Sequence, residues 1–130
     1  MNKHEAGFID FLAEPSRGRM RTLLELGAKR RKDVRSMLHH SVRLEPRCSQ
    51  HLIGHLAFSG PVEELLKERG APSTCFVLAA DPDLDGREMP LTEALEAIIG
   101  SSNGAYVSCI PGKLGFYEYE SMKSSYLLTK

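Results

Sequence analysis

The spacing of hydrophobic residues changes near Pro72, and this change limits the folds that the chain can adopt. Before it, apolar residues recur at helical intervals between Gly and Pro residues, as they do over residues 34–42. After it, residues 75–80 form an unbroken apolar run, which is typical of a strand that is buried on both faces. The chain therefore divides into a helical part and a sheet-containing part, at residues 1–70 and 71–130.

The helical part is predicted to hold about five short helices, and the second part to follow a β-α-β-β order. The strands are predicted at residues 75–80, 105–110 and 114–120, with an amphipathic helix at residues 91–99. A strand–helix–strand unit ordinarily makes its two strands parallel. We therefore expect an α+β fold whose helices pack on a small mixed sheet. We expect a single domain over residues 1–130, because halves of about 60 residues would each be marginally stable.

Charge is distributed unevenly along the chain, although the formal net charge is zero. Residues 1–57 hold 11 Lys and Arg against 6 Asp and Glu, whereas residues 58–130 hold 6 against 11. The two halves can neutralise each other within one molecule or between two, and we favour this interpretation over a polyanionic partner. A polyanion would instead bind the basic run, which comprises Lys29, Arg30, Arg31, Lys32 and Arg35. These cations also follow the end of a predicted helix, where the helix dipole favours positive charge.

The acidic loop at residues 81–88 is the clearest candidate for a ligand site. Several carboxylates close together repel one another unless a cation or a basic group joins them. If the first two strands are parallel, this loop and the turn around Lys113 lie at the edge where open α/β sheets bind ligands. The candidate ligand-binding residues are Asp81, Asp83, Asp85, Glu88 and Lys113. The alternative is a solvated turn, because turns favour Asp, Pro and Gly.

Cys48, His51 and His55 form a candidate for metal binding. On the predicted fourth helix, their spacing places the three side chains on one face. A fourth ligand would have to come from elsewhere, from His39 or His40, and the sequence offers no clear one. We therefore predict no metal here and interpret the two helical histidines as half-buried packing residues.

Signatures of catalysis and of targeting are missing from the sequence. It holds no Gly-x-Ser-x-Gly motif and no Gly-rich phosphate loop, and the apolar neighbours of Cys109 would keep its thiol protonated. Three cysteines at wide spacing indicate neither a disulfide framework nor a zinc ribbon. The first residues lack the apolar core of a signal peptide, and no stretch reaches the length of a membrane span. We therefore expect a cytoplasmic protein.

Three hypotheses of function follow from these features. The favoured one is a small, non-catalytic binding or regulatory protein that self-associates as a dimer, the commonest symmetric assembly. The second is a small enzyme with a divalent-cation or ligand site at the acidic loop. The third is a protein that binds nucleic acid or another polyanion through the basic run. No membrane partner is predicted, and no cofactor apart from the divalent cation of the second hypothesis.

Overall fold

Six antiparallel strands form one sheet in the part of the chain that the structure describes. That structure is a computed structural model, and it describes residues 1–40, 42–101, 103–120 and 124–130. In chain order the strands are β1 (Ser49–Leu52), β2 (Thr74–Ala79), β3 (Glu88–Pro90), β4 (Ala105–Ile110), β5 (Leu114–Glu118) and β6 (Ser125–Thr129). Across the sheet they lie in the order β1-β6-β5-β4-β2-β3, and neighbouring strands are antiparallel throughout.

Helices cover both faces of this sheet. Over the described residues the α-helices are α1 (Lys3–Ile9), α2 (Ser16–Glu25), α3 (Arg31–His40), α4 (Ser59–Glu68) and α5 (Leu91–Ile98). Short 3-10 turns occupy Gly27–Arg30, Pro46–Cys48 and Gly54–Ala57. One core lies between α1, α2, α3 and the sheet, and the other lies between α4, α5 and the opposite face. None of the helices within the described residues combines the length and the apolarity that a membrane span needs.

The apolar run at the start of the second part is a strand that serves both cores. Phe76 and Leu78 of β2 belong to the core beneath α1, α2 and α3. Val77 and Ala79 point the other way, into the core beneath α4 and α5. Because successive strand residues face opposite sides, a strand between two helical layers must be apolar at every position. The expected buried strand is therefore confirmed, and so is the α+β class with a helical first half.

The sheet is not mixed, and the predicted parallel pairing of the first two strands is wrong. Phe76 of β2 lies opposite Ser108 of β4, and Ala79 lies opposite Ala105, which is antiparallel register. The reason is β3, a short strand that the prediction missed. It forms a hairpin with β2, so the chain has already reversed when α5 begins. The strand–helix–strand unit therefore joins β3 to β4, which run in the same direction on either side of β2.

The predicted fourth helix is replaced by a strand. Pro46 begins a 3-10 turn that ends at Cys48, and the chain then extends as β1. β1 pairs with β6, with Ser49 opposite Leu128 and Leu52 opposite Ser125. A short segment with few apolar residues has little helical preference of its own, so this long-range pairing decides its structure.

Candidate functional site

The acidic loop is fastened to the helical layer through Arg31. Nε and Nη2 of Arg31 donate to the two carboxylate oxygens of Asp85 at 2.6 and 3.0 Å, and Nη1 donates to Glu5 of α1. Asp85 also accepts the N–H of Ala79 at 3.1 Å. Burial disfavours the charge of Arg31, but its hydrogen bonds with Asp85 and Glu5 outweigh this and raise its pKa. Asp85 therefore attaches the loop to α3 through Arg31, and Arg31 also binds Glu5 of α1.

The remaining carboxylates of the loop are dispersed. Asp81 accepts the N–H of Asp83 on its Oδ1 atom at 2.9 Å, which is the local hydrogen bond of an Asx turn. Glu88 lies exposed on β3. These contacts are those expected of a turn, and ligand binding by Asp81, Asp83 and Glu88 stays a prediction.

Lys113 lies at the other end of the sheet from the acidic loop. The loop follows the end of β2 at Ala79, which is opposite the first residue of β4, Ala105. Lys113 comes after the last residue of β4, Ile110. The expected proximity of the loop and Lys113 is therefore wrong, because it required parallel strands, and ligand binding by Lys113 stays a prediction.

The cations of the basic run differ in what they contact. Arg31 is bound by Asp85 and Glu5, as described above. Arg30 forms an exposed ion pair with Asp33, one helical turn along. Lys29 is exposed at the end of its 3-10 turn. Polyanion binding through the whole run would therefore compete with three ion pairs.

A shallow groove brings part of the basic run to the acidic loop. Its volume is about 520 Å³, and Lys32, Arg35 and Asp81 line it together with His39 and Asn103. Lys32 and Arg35 belong to the basic run and Asp81 to the acidic loop, and no local pattern indicates that the three residues share a surface.

Cys48, His51 and His55 are not on one helix, and the predicted common face does not form. Cys48 ends one 3-10 turn, His51 lies in β1, and His55 lies in the next 3-10 turn. The ring of His51 stacks on Tyr126 of β6 with the ring centroids 4.8 Å apart. The prediction of one helix that carries all three side chains was wrong, because part of this segment forms β1 and pairs with β6.

Among the described residues, three potential metal ligands converge at His39, His40 and Glu120. One ligand atom from each side chain lies within 4.8 Å of the other two. Both histidines were available in the sequence as extra ligands, but Glu120 lies far along the chain. No local spacing relates Glu120 to α3, so only the fold reveals this cluster.

The buried groups that could act as nucleophiles are packing residues. Burial raises the pKa values of the Cys75 and Cys109 thiols to about 12, so both stay protonated at neutral pH. His4 Nδ1 lies 2.8 Å from Ser108 Oγ, and the His4 ring stacks on Phe76. Ser108 is completely buried, so a substrate has no access to its hydroxyl. The interpretation of Cys109 as a core residue is confirmed.

An apolar cleft lies beside β1. Its lining is less polar than that of the groove lined by Lys32, Arg35 and Asp81. The cleft has a volume of about 790 Å³, and it lies between β1, the following 3-10 turn and the end of α5. Its apolar lining comprises Leu52, Ile53, Ala57, Phe58 and Ile99. Ile53 is 70% exposed and Phe58 is 65% exposed, which is unusual for large apolar side chains. We call this surface the β1 cleft.

The strand next to the β1 cleft is an edge of the sheet that carries no charged residue and no proline. β1 is the first strand in the spatial order and contains neither a Lys or Glu residue nor a proline. Natural edge strands commonly carry such residues, because outward-facing backbone groups otherwise pair with other chains. In addition, residues 48–62 contain no Asp, Glu, Lys or Arg. The absence of charge in this stretch can be read from the sequence. The prediction of a helix there, however, implied that its apolar residues were buried in the core.

Comparison with known proteins adds no further candidate. No model of a known protein family, no curated protein and no solved structure matches the chain.

Proposed function

We propose that the chain is a small, non-catalytic binding or regulatory protein that self-associates through β1 and the β1 cleft as a symmetric dimer. The observation that carries this proposal is exposed apolar surface next to an edge strand without charged residues. Antiparallel pairing of β1 with β1 of a second copy would continue the sheet across a two-fold axis.

The charge of this surface favours a second copy of the chain over a charged partner. Residues 48–62 carry no Asp, Glu, Lys or Arg, so two copies meet there without like-charge repulsion. A strongly acidic or basic partner finds no counter-charge in the same stretch. Burial of Ile53 and Phe58 contributes roughly 1.5–3 kcal/mol for each side chain that becomes fully buried.

We also propose that the protein works in the cytoplasm. All three cysteines, Cys48, Cys75 and Cys109, are free thiols. Free thiols are usual in a reducing compartment, whereas small secreted domains commonly form disulfides.

Sedimentation velocity at low salt, over a range of protein concentrations, tests the proposed dimer. Charged variants of the β1 cleft, Phe58→Asp and Ile53→Asp, should weaken the dimer at least tenfold, since each would bury a carboxylate without a partner. Leu26→Asp is the matched control, because Leu26 is 52% exposed at the end of α2 and lies outside the β1 cleft. Circular dichroism should show the same fold for all variants.

Two results would contradict the proposal. One is a wild-type chain that stays monomeric at high concentration and low salt. The other is a Leu26→Asp variant that dissociates as readily as Phe58→Asp, which would make the loss an effect of added charge rather than of position.

The other two hypotheses have less structural support. A cation site at the acidic loop would have to form without Lys113 and with Asp85 already bound to Arg31. If it exists, Asp83→Asn should remove the response to magnesium or calcium and leave the fold intact. Polyanion binding would depend on Lys29, Lys32 and Arg35, and it should weaken as salt rises.

A further inference from the structure

The histidines at the end of α3 meet a carboxylate that follows β5. His39 Nε2 lies 3.4 Å from Glu120 Oε2, and His40 Nδ1 lies 3.8 Å from the same oxygen. We propose that His39, His40 and Glu120 bind a divalent transition-metal ion of the zinc type. This site is independent of the proposed dimer, because α3 packs on the face opposite α5 and the β1 cleft.

The separations between the ligand atoms are those of groups that share an ion. A direct N–H···O hydrogen bond is about 2.9 Å long, so both nitrogens lie farther from the oxygen than a good hydrogen bond allows. Two ligands about 2.1 Å from a tetrahedral zinc ion lie about 3.4 Å apart. The His39–Glu120 separation of 3.4 Å already has this value, the His40–Glu120 separation is 3.8 Å, and the three ligand atoms all lie within 4.8 Å of one another.

The hydrogen bond on the other side of the His39 ring supports the same role. Nδ1 of His39 lies 2.9 Å from the carbonyl oxygen of Asn103. A carbonyl oxygen can only accept, so Nδ1 carries the proton that it donates there. In the neutral ring, the lone pair on Nε2 then faces the carboxylate of Glu120, and two acceptors meet. A metal ion between them removes this conflict, and a backbone carbonyl is a common outer partner of a metal-binding histidine.

The end of α3 is held in place by two contacts with the sheet. The hydroxyl of Tyr117 in β5 donates to the carbonyl oxygen of Leu38 at 2.6 Å. Gly104 packs so closely that a Cβ atom there would lie 2.3 Å from the same oxygen. The backbone that leads into His39 and His40 is therefore held against the sheet, and Glu120 lies two residues beyond the end of β5. Such preorganisation lowers the entropy that metal binding would cost.

The donor set identifies the class of metal. Two imidazoles and one carboxylate suit Zn²⁺, Co²⁺ or Ni²⁺, whereas Mg²⁺ and Ca²⁺ prefer oxygen ligands throughout. Three protein ligands leave one position for water or a small anion. Lys32 and Arg35 line the groove that His39 and His40 also line, so their charge favours an anion there.

Calorimetric titration of the full chain with Zn²⁺ at neutral pH tests the site, with the visible spectrum of the Co²⁺ complex as a second readout. Wild type should bind one ion per chain, and the Co²⁺ spectrum should indicate tetrahedral nitrogen and oxygen ligands. Glu120→Gln keeps the shape of the side chain, and both it and His39→Ala should weaken binding by more than the roughly 10- to 100-fold that loss of an outer-shell partner costs, because each removes a direct ligand. His55→Ala, at an exposed histidine outside the cluster, should bind as wild type does.

Three results would overturn the proposal. The first is that the wild-type chain shows no saturable binding of Zn²⁺ up to millimolar concentration, which would leave the His39–Glu120 contact as an ion pair. Glu120→Gln binding with wild-type affinity would place the ion elsewhere. A thiolate band in the Co²⁺ spectrum would assign the ion to Cys48, the one cysteine that is not buried.

Discussion

Arg31 joins three segments that are far apart in the chain. Its guanidinium binds Asp85, 54 residues away, and Glu5 of α1 in the same fork. Glu5 also accepts the N–H of Asn2, so one carboxylate both caps α1 and binds Arg31. Planar guanidinium groups suit such two-sided pairing, because their donors have a fixed geometry. At this contact the opposite charges of the two halves of the chain neutralise each other within one molecule.

Replacement of Arg31 should destabilise the fold. Arg31→Met leaves the carboxylates of Asp85 and Glu5 without their cation, and their side chains are only 4% and 10% exposed. We expect the free energy of unfolding to fall by about 2–4 kcal/mol, measured by urea denaturation. Arg30→Met is the matched control and should cost less than about 1 kcal/mol, because the Arg30–Asp33 pair is exposed. Equal losses in the two variants would show that the Arg31 network has no special weight.

The helix α1 is placed by a close approach to the turn between β4 and β5. Gly7 faces that turn, and a Cβ atom on Gly7 would lie 2.3 Å from the backbone nitrogen of Gly112. No flexible side chain stands between the two backbones. The small size of Gly7 therefore sets the distance between α1 and the sheet.

Gly7→Ala should consequently lower stability even though alanine favours helices. We expect a loss of about 1–3 kcal/mol, because α1 or the turn must move to relieve the overlap. Gly60→Ala in α4 is the control, since nothing lies within 4 Å of the added Cβ atom there. That variant should be neutral or more stable by up to about 1 kcal/mol. Thermal or urea unfolding that ranks the two variants the other way would refute this account of α1 packing.

The sheet separates two cores that contain different titratable side chains. The core beneath α1, α2 and α3 includes the tyrosines Tyr106 and Tyr117, whose burial raises their pKa values. The core beneath α4 and α5 includes the thiols of Cys75 and Cys109. The fold keeps all four groups neutral, so its stability depends on their remaining protonated.

Stability should therefore fall in alkaline solution. Below pH 9, both the folded and the unfolded chain keep the protons of Cys75 and Cys109. Above the ordinary thiol pKa of 9.0 the unfolded chain releases these protons, while the folded chain holds them up to a pKa of about 12. Each thiol should cost roughly 1 kcal/mol of stability per pH unit within that window.

Urea unfolding at a series of pH values between 8 and about 11 measures this slope. Cys109→Ala should flatten it, because one of the two buried thiols is gone. Cys48→Ala should leave it unchanged, since Cys48 is only partly buried, whereas Cys75 and Cys109 are buried. A slope that does not differ between the two variants would assign the alkaline loss to other residues.

Local sequence patterns were enough to predict the class of the fold and the position of its principal strand. Helical spacing in the first part and an uninterrupted apolar run in the second reflect which faces of each element must be buried, and burial is encoded locally. The same local patterns marked the acidic loop as a turn and Cys109 as a core residue. They failed at β1, where a few apolar residues fit a helix as well as a strand.

Contacts between residues far apart in the chain could be identified only in the folded structure. β1 is a strand because β6 lies beside it, and the sheet is antiparallel because β3 reverses the chain before α5. Asp85 is bound by Arg31 rather than by Lys113, and Glu120 rather than Cys48 accompanies the histidines of α3. In each case the partners are separated by dozens of residues, and no spacing along the chain relates them. Their meeting depends on strand order and direction, which are set by the packing of the whole chain.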